Sequence, residues 1–471
     1  MNIKKIYLVY FILLELIVLF PGYASVISAG VILLNLLIGL SRKREADIAI
    51  VSSFLLPGEV FPMVSLLMLL FLKKITHMRA SAPRVKKLNG FALSFVVCCS
   101  LLNALRYHTE INLFFYLIYL TAIMITAAFS FDILNVSVML ESMKQFIVIE
   151  FIVTVTIILK YSTVTPGDIF HGSMSSAHWF ANWLIVVLIL LLFHDASQNE
   201  TGFSLKKLKQ NKWYIFLAMI MLYLADAKSL IVALVAGILG YIIFEHKKRT
   251  TKYSFAIYML SFYIGVFFIM LILYWAPVRS YIQAHSELMS TYLYMDRWNG
   301  KFNYIRGTFL NELNGIKFFT GYGLGQYGSR IANLFAYDVM WRADNGINNL
   351  IAAVFAPHHI PEYVKYIEFY DEYFVSQIGW RSAVLSYPFN SFTALIAETG
   401  VIGVILTAGV ANSYVRNSYC KIIAYYFLAA TFFDLYFDNY PCAALIILIL
   451  TNTLISHGRN AKTVKTVKEG S

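Results

Sequence analysis

The sequence predicts an all-α polytopic membrane protein of 12 to 14 transmembrane helices carrying one large, partly helical extracytoplasmic loop. Three observations predict it. Of 471 residues, 59% are hydrophobic and only 14% charged, against roughly a quarter charged in soluble domains. Apolar segments such as 253–275 exceed the roughly 20 residues a helix needs to cross a bilayer. Lys and Arg, finally, collect in alternate connections between those segments, as the positive-inside rule demands.

Twelve spans read out in order, near 6–20, 24–40, 89–106, 112–129, 145–160, 179–194, 213–225, 229–244, 253–275, 390–411, 421–436 and 440–456. Residues 46–72 are also apolar but broken at Leu56-Pro57-Gly58-Glu59. Proline and glycine there free backbone groups that lipid cannot satisfy, so this stretch crosses twice as short spans or forms a re-entrant hairpin. Four parts follow: an N-terminal bundle over 1–276, a loop of 112 residues over 277–388, C-terminal helices over 389–456 and a basic tail over 457–471.

Alternating from a cytoplasmic N-terminus, the inside segments hold 26 of the 38 Lys and Arg. The short outer connections keep only Arg106, Lys160 and Lys228, and the long loop balances nine cations with nine acids. Both termini are therefore expected in the cytoplasm. The net charge of +12 sits in short juxtamembrane runs, which argues against a nucleic-acid partner and for anionic membrane lipid. Cys98, Cys99, Cys420 and Cys442 all lie outside the long loop, so no disulfide framework is expected there. The first apolar segment lacks a small-residue cleavage pattern and reads as a retained span. Glu15 and Glu150, inside spans, read as helix–helix hydrogen-bond partners.

The long loop carries Thr320-Gly321-Tyr322-Gly323-Leu324-Gly325-Gln326-Tyr327-Gly328. Its G-x-G-x-x-G match is not a dinucleotide site, for it faces outward and lacks an acidic residue placed for a ribose. Gly321, Gly323 and Gly325 imply a turn, either plain or one whose backbone approaches another surface or an anion. Asp296, Arg297 and Arg306 precede it, and Arg342 and Arg381 follow. Extracytoplasmic arginines gain nothing from topology, and their planar forks suit phosphate, with salt bridging to loop acids as the alternative. Lys228 lies in the tight outer turn Ala225-Asp226-Ala227-Lys228-Ser229, either functional or snorkelling beside Asp226.

Beyond the loop, Asn390, Ser391, Ala394 and Glu398 share one helical face, followed by Gly400 and Gly403, which permit close helix contact. Glu398 is then either functional or structurally paired. An aromatic helix over 361–380 is expected to lie on the membrane or to stack on sugar faces. His171, His178, His358 and His359 lack a convergent partner set, so neither a metal nor another cofactor is expected.

This order, with many spans, a late outer loop with arginines, a G-x-G-x-G turn, then Asn390 and Glu398-x-Gly-x-x-Gly entering the next span, resembles the O-antigen polymerase and ligase superfamily. The specific motifs cover roughly 225–245 and 297–403. The resemblance implies a metal-independent, inverting glycosyltransferase of the bacterial inner membrane. It would join undecaprenyl-diphosphate-linked oligosaccharide repeat units into O-antigen, capsule or exopolysaccharide, with a chain-length regulator and a flippase of the same pathway as partners.

Lys228-Ser229 sits where that family has a Ser-Arg pair, and Arg297 and Arg306 lie where its arginines cluster. Asn390 matches the Asn of a His-Asn motif whose histidine is here Phe389, a departure that favours a polymerase over a ligase. On this reading Lys228, Arg297 and Arg306 hold the diphosphate, while Glu398 or Asp296 orients the acceptor hydroxyl. Ligase-type glycan transfer is one alternative. A lipid-linked-oligosaccharide flippase is another, disfavoured by the absence of pseudo-repeated halves.

Overall fold

Wherever the computed structural model describes an apolar segment, that segment is helical. The described residues are 3–41, 45–76, 87–107, 110–130, 136–193, 205–245, 308–309, 313–325, 327, 329, 390–414, 418–431 and 439–450. There is no strand among them. In chain order the helices are α1 (Ile3–Leu19), α2 (Ala24–Ser41), α3 (Glu45–Ser53), α4 (Val60–Thr76), α5 (Lys87–Tyr107), α6 (Glu110–Ser130) and α7 (Val136–Tyr161). They continue with α8 (Ala177–Phe193), α9 (Leu205–Leu224), α10 (Lys228–Glu245), α11 (Ile316–Thr320), α12 (Ser391–Tyr414), α13 (Ser418–Ala430) and α14 (Tyr440–Leu450). The segment 253–275 and most of the long loop lie outside the described residues.

Among the described residues two helical stretches, Pro21–Leu40 and Val136–Tyr161, are long and apolar enough to cross a membrane, and eight further apolar helices are shorter. Most of the helices pack into a main core, with Tyr10, Phe146, Trp183 and Tyr426 fully buried in it, and a smaller cluster joins Ala104 of α5 and Leu113 and Tyr116 of α6 to Leu324. Local chemistry sets the boundaries. α1 stops before Pro21, which opens a single 3-10 turn over Pro21–Tyr23. α4 tolerates Pro62 because it sits in the first turn, where its missing N–H leaves no gap in the helix.

The broken stretch 46–72 is a hairpin with its tip inside the bundle. α3 has nine residues and rises only about 13 Å, well short of the roughly 30 Å hydrocarbon thickness. At the tip, Phe54, Leu55 and Leu56 are buried. The backbone groups freed there find hydroxyls of the α7–α8 loop, with Ser173 Oγ donating to the Leu55 carbonyl at 2.8 Å and the Gly58 N–H donating to Ser175 Oγ at 2.9 Å. Lower down, Asn35 of α2 gathers hydrogen bonds from Tyr10 of α1 and Ser52 of α3, and donates to Ser53 and to Ser65 of α4. Four helices are thus pinned by one buried amide.

Connections gather at one end. Lys160 Nζ at the close of α7 donates to the Val18 carbonyl near the close of α1, and the Gly167 N–H donates to the Leu224 carbonyl that ends α9. α10 runs antiparallel to α13, with Gly237 against Tyr426 and Gly240 against Tyr425. The start of α10 therefore shares its end of the bundle with the close of α13, where the Thr431 carbonyl accepts the Phe392 N–H from the first turn of α12. The expected helix–helix role of Glu15 holds, since it accepts from Thr156 of α7 at 3.1 Å. Glu150 differs. Its Oε2 accepts the Ser173 N–H at 2.9 Å and its Oε1 lies 2.6 Å from the Ser173 hydroxyl oxygen, so its partner is a loop rather than a helix.

Candidate functional site

The glycine turn of the long loop is seated on α12. Gly321, Gly323 and Gly325 adopt φ of 69°, 105° and 73°, a region that L side chains rarely occupy. α12 is itself broken at Gly400, where φ is 65° and ψ −178°. Helical carbonyls next to such a break need new donors. The turn supplies them, the Tyr322 N–H donating to the Ala397 carbonyl at 2.8 Å and the Gly323 N–H to the Glu398 carbonyl at 2.9 Å. The two backbones touch. A Cβ on Gly321 would lie 2.4 Å from the Glu398 carbonyl, and one on Gly400 would lie 2.2 Å from the Phe319 oxygen.

The side chain of Glu398 completes the joint. It is 1% exposed, and its Oε2 accepts the Gly325 N–H at 2.8 Å while Oε1 accepts the Tyr327 and Ser329 N–H groups at 2.9 and 3.2 Å. Successive N–H groups in a glycine-rich turn form a concavity for an anion. Here the anion is the protein's own carboxylate, 69 to 73 residues further along the chain. Of the two readings of the glycine turn, the close approach to another surface is the one the structure realises, and Gly400 serves loop-to-helix contact rather than helix-to-helix contact.

Residues that the sequence did not single out brace the turn. Ser100 Oγ of α5 accepts the Leu324 N–H at 3.0 Å, and Asn103 Nδ2 donates to the Gly321 carbonyl at 3.3 Å. Tyr322 and Tyr327 stack with centroids 4.9 Å apart, Lys317 Nζ lies 4.2 Å over the Tyr322 ring, and Tyr327 shares a hydrogen bond with Thr308 at 3.0 Å. The available signal was slight. Ser100 and Asn103 form a polar pair one turn apart among the leucines that precede Arg106.

Asn390 caps α12, its Oδ1 accepting the Thr393 N–H at 2.9 Å. Its Nδ2 and the neighbouring Thr393 Oγ1 are buried without a hydrogen-bond partner among the described residues. Lys228 is the first residue of α10. Asp296, Arg297, Arg306, Arg342 and Arg381 lie outside the described residues, as do Phe389 and the stretch 361–380. The structure thus joins Gly321, Gly323, Gly325 and Glu398 in one constellation, with Asn390 two turns back along α12 and Lys228 at the same end of the bundle. His171, in the α7–α8 loop, bonds through Nδ1 with the Gly172 carbonyl at 3.1 Å, and burial lowers its pKa. Neither a known family model nor a curated protein sequence matches the chain.

Proposed function

We propose that this protein is a polymerase of lipid-linked oligosaccharide repeat units, working at the outer face of a bacterial cytoplasmic membrane. The observation that carries the reading is the joint between loop and membrane helix. The glycine turn of the long loop is locked onto α12 at the end of the bundle where Lys228 opens α10 and Asn390 opens α12. A transferase acting on a membrane-anchored donor needs such a seat, because the loop's cations must meet a diphosphate held at membrane depth.

In this reading Lys228, Arg297 and Arg306 bind the diphosphate and neutralise the charge that grows on it. The acceptor hydroxyl attacks the anomeric carbon from the opposite face. The bond to the diphosphate oxygen breaks, undecaprenyl diphosphate leaves with the electron pair, and configuration inverts. The hydroxyl proton passes to a carboxylate such as Asp296. Glu398, occupied by three backbone N–H groups, is a positioning residue that holds the loop in register. Asn390 Nδ2, which has no partner among the described residues, supplies a donor for a phosphate or sugar oxygen.

Deleting the protein in its host is expected to leave single repeat units on lipid carrier or core. Unattached full-length polymer would identify a ligase instead, and substrate trapped on the cytoplasmic leaflet a flippase. Replacing Lys228 or Arg297 by Ala, with the protein still present in the membrane, is expected to abolish polymer. Full-length product from either variant removes that residue from the site.

A further inference from the structure

Helix α11 turns a wholly apolar side outward. Ile316 is 76% exposed, Phe318 40% and Phe319 53%, while the one charged side chain of the helix, Lys317, lies over the ring of buried Tyr322. Exposed aromatics of this size on a loop of a soluble protein mark a contact surface. The position of α11 says which contact. The Phe319 carbonyl abuts Gly400, nine residues past the start of α12, which is about 13 Å along a helix at 1.5 Å per residue. Asn103 and Ser100 tie the chain leaving α11 to the last two turns of α5. The short helix therefore lies beside the shafts of two apolar helices.

Its outward side also continues theirs. On α5, Leu101, Leu102 and Leu105 are 47%, 68% and 53% exposed, and on α12 Ile405 is 64% exposed. Exposed apolar side chains also mark α6, which packs on α5, at Phe114, Ile118 and Met124, then α4, which packs on α6, at Val60, Met68 and Phe71, and the candidate span of α2, which packs on α4, at Val26, Leu33 and Leu37. Lys317, flanked by these residues, has the reach of a cation at a lipid–water boundary.

We infer that α11 is a mooring helix, with Ile316, Phe318 and Phe319 inserted among the lipid chains of the leaflet at that end of the bundle. The inference rests on the membrane reading above and adds to it that the long loop is held by the bilayer as well as by Glu398. It gives the proposed donor site a lipid-facing wall beside the glycine turn.

The test is photocrosslinking of the full-length protein reconstituted in liposomes of phosphatidylethanolamine and phosphatidylglycerol. p-Benzoylphenylalanine replaces Phe319 in one variant, Ile316 in a second and Val26 in a third, and adducts are read by mass spectrometry. The expected result is a gain of one phospholipid mass at all three positions. A lipid adduct at 26 with only intraprotein adducts, or none, at 316 and 319 overturns the mooring helix and leaves the membrane reading intact. No lipid adduct at 26 sinks the membrane reading and the inference with it.

Discussion

Two stretches of irregular backbone enter this helical bundle, and each is held by a buried glutamate. In the α7–α8 loop, Glu150 of a continuous helix accepts from Ser173, and hydroxyls of Ser173 and Ser175 serve the hairpin tip at Leu55 and Gly58. At the glycine turn, Glu398 of a broken helix accepts from three N–H groups, and the break itself offers two carbonyls. The difference is in what supplies the pairing. A side chain takes part in each of these bonds at the first joint, whereas the second adds direct backbone-to-backbone bonds, which is why the second needs glycines on both partners and the first needs only Gly172 beside Glu150. A carboxylate inside an apolar helix can thus act as a loop anchor.

Breaking the backbone joint gives the largest expected effect. Gly321→Ala or Gly400→Ala places a methyl within 2.4 Å of opposing backbone at φ near 65–69°. With ψ near 180° this backbone region is essentially glycine-only and costs another residue about 1–3 kcal/mol, and the overlap adds more. Either variant is expected to lower the melting temperature in detergent and to expose 321–329 to protease. An unchanged melting curve for both would show that the turn is not seated on α12.

Removing the Glu398 carboxylate comes next. Glu398→Ala strands up to three buried N–H groups at about 1–3 kcal/mol each, whereas Glu398→Gln keeps one acceptor oxygen and loses less. Hydrogen exchange at 325–329 is expected to rise in the order wild type, Gln, Ala. Equal exchange in all three would break the comparison. Glu150→Ala removes the acceptor of the Ser173 N–H at a similar cost for that one group. Its exchange increase is expected in 162–176 and not in the glycine turn, because the two joints share no residue.

The smallest effect is a pH dependence confined to the first joint. Burial depresses the His171 pKa, so the folded protein keeps the ring neutral while the unfolded chain protonates below about pH 6.5. Stability is then lost as pH falls below that value, with a slope of at most about 1.4 kcal/mol per pH unit. His171→Gln is expected to flatten the melting temperature between pH 6.5 and 5.5; a slope that persists in this variant assigns the effect to another group.

The motif Glu398-x-Gly-x-x-Gly and the triad Gly321, Gly323, Gly325 were legible as candidates because charge in an apolar run and glycine at alternate positions are each uncommon. Their pairing with each other was not. Periodicity reports which side of a helix is apolar, and it carries nothing about a partner some 70 residues away. Asn103 and Ser100 were silent for the same reason, since a polar pair on an apolar helix reads alike whether it meets a helix, a loop or water.

What the sequence by itself determined are the helical segments and the places where helix cannot continue. Each apolar run satisfies its own backbone bonds locally, and Pro21, the Pro57-Gly58 pair and the glycine triad interrupt that pattern wherever they fall. Tertiary structure alone decided where the interruptions go. The hairpin tip turns back inside the bundle because Ser173 and Ser175 wait there for its backbone, and the glycine turn settles on α12 because Gly400 leaves carbonyls to be met. The physical reason is common to both. Backbone polar groups freed in an apolar interior must find partners, and only the folded arrangement of distant segments fixes which ones are within reach.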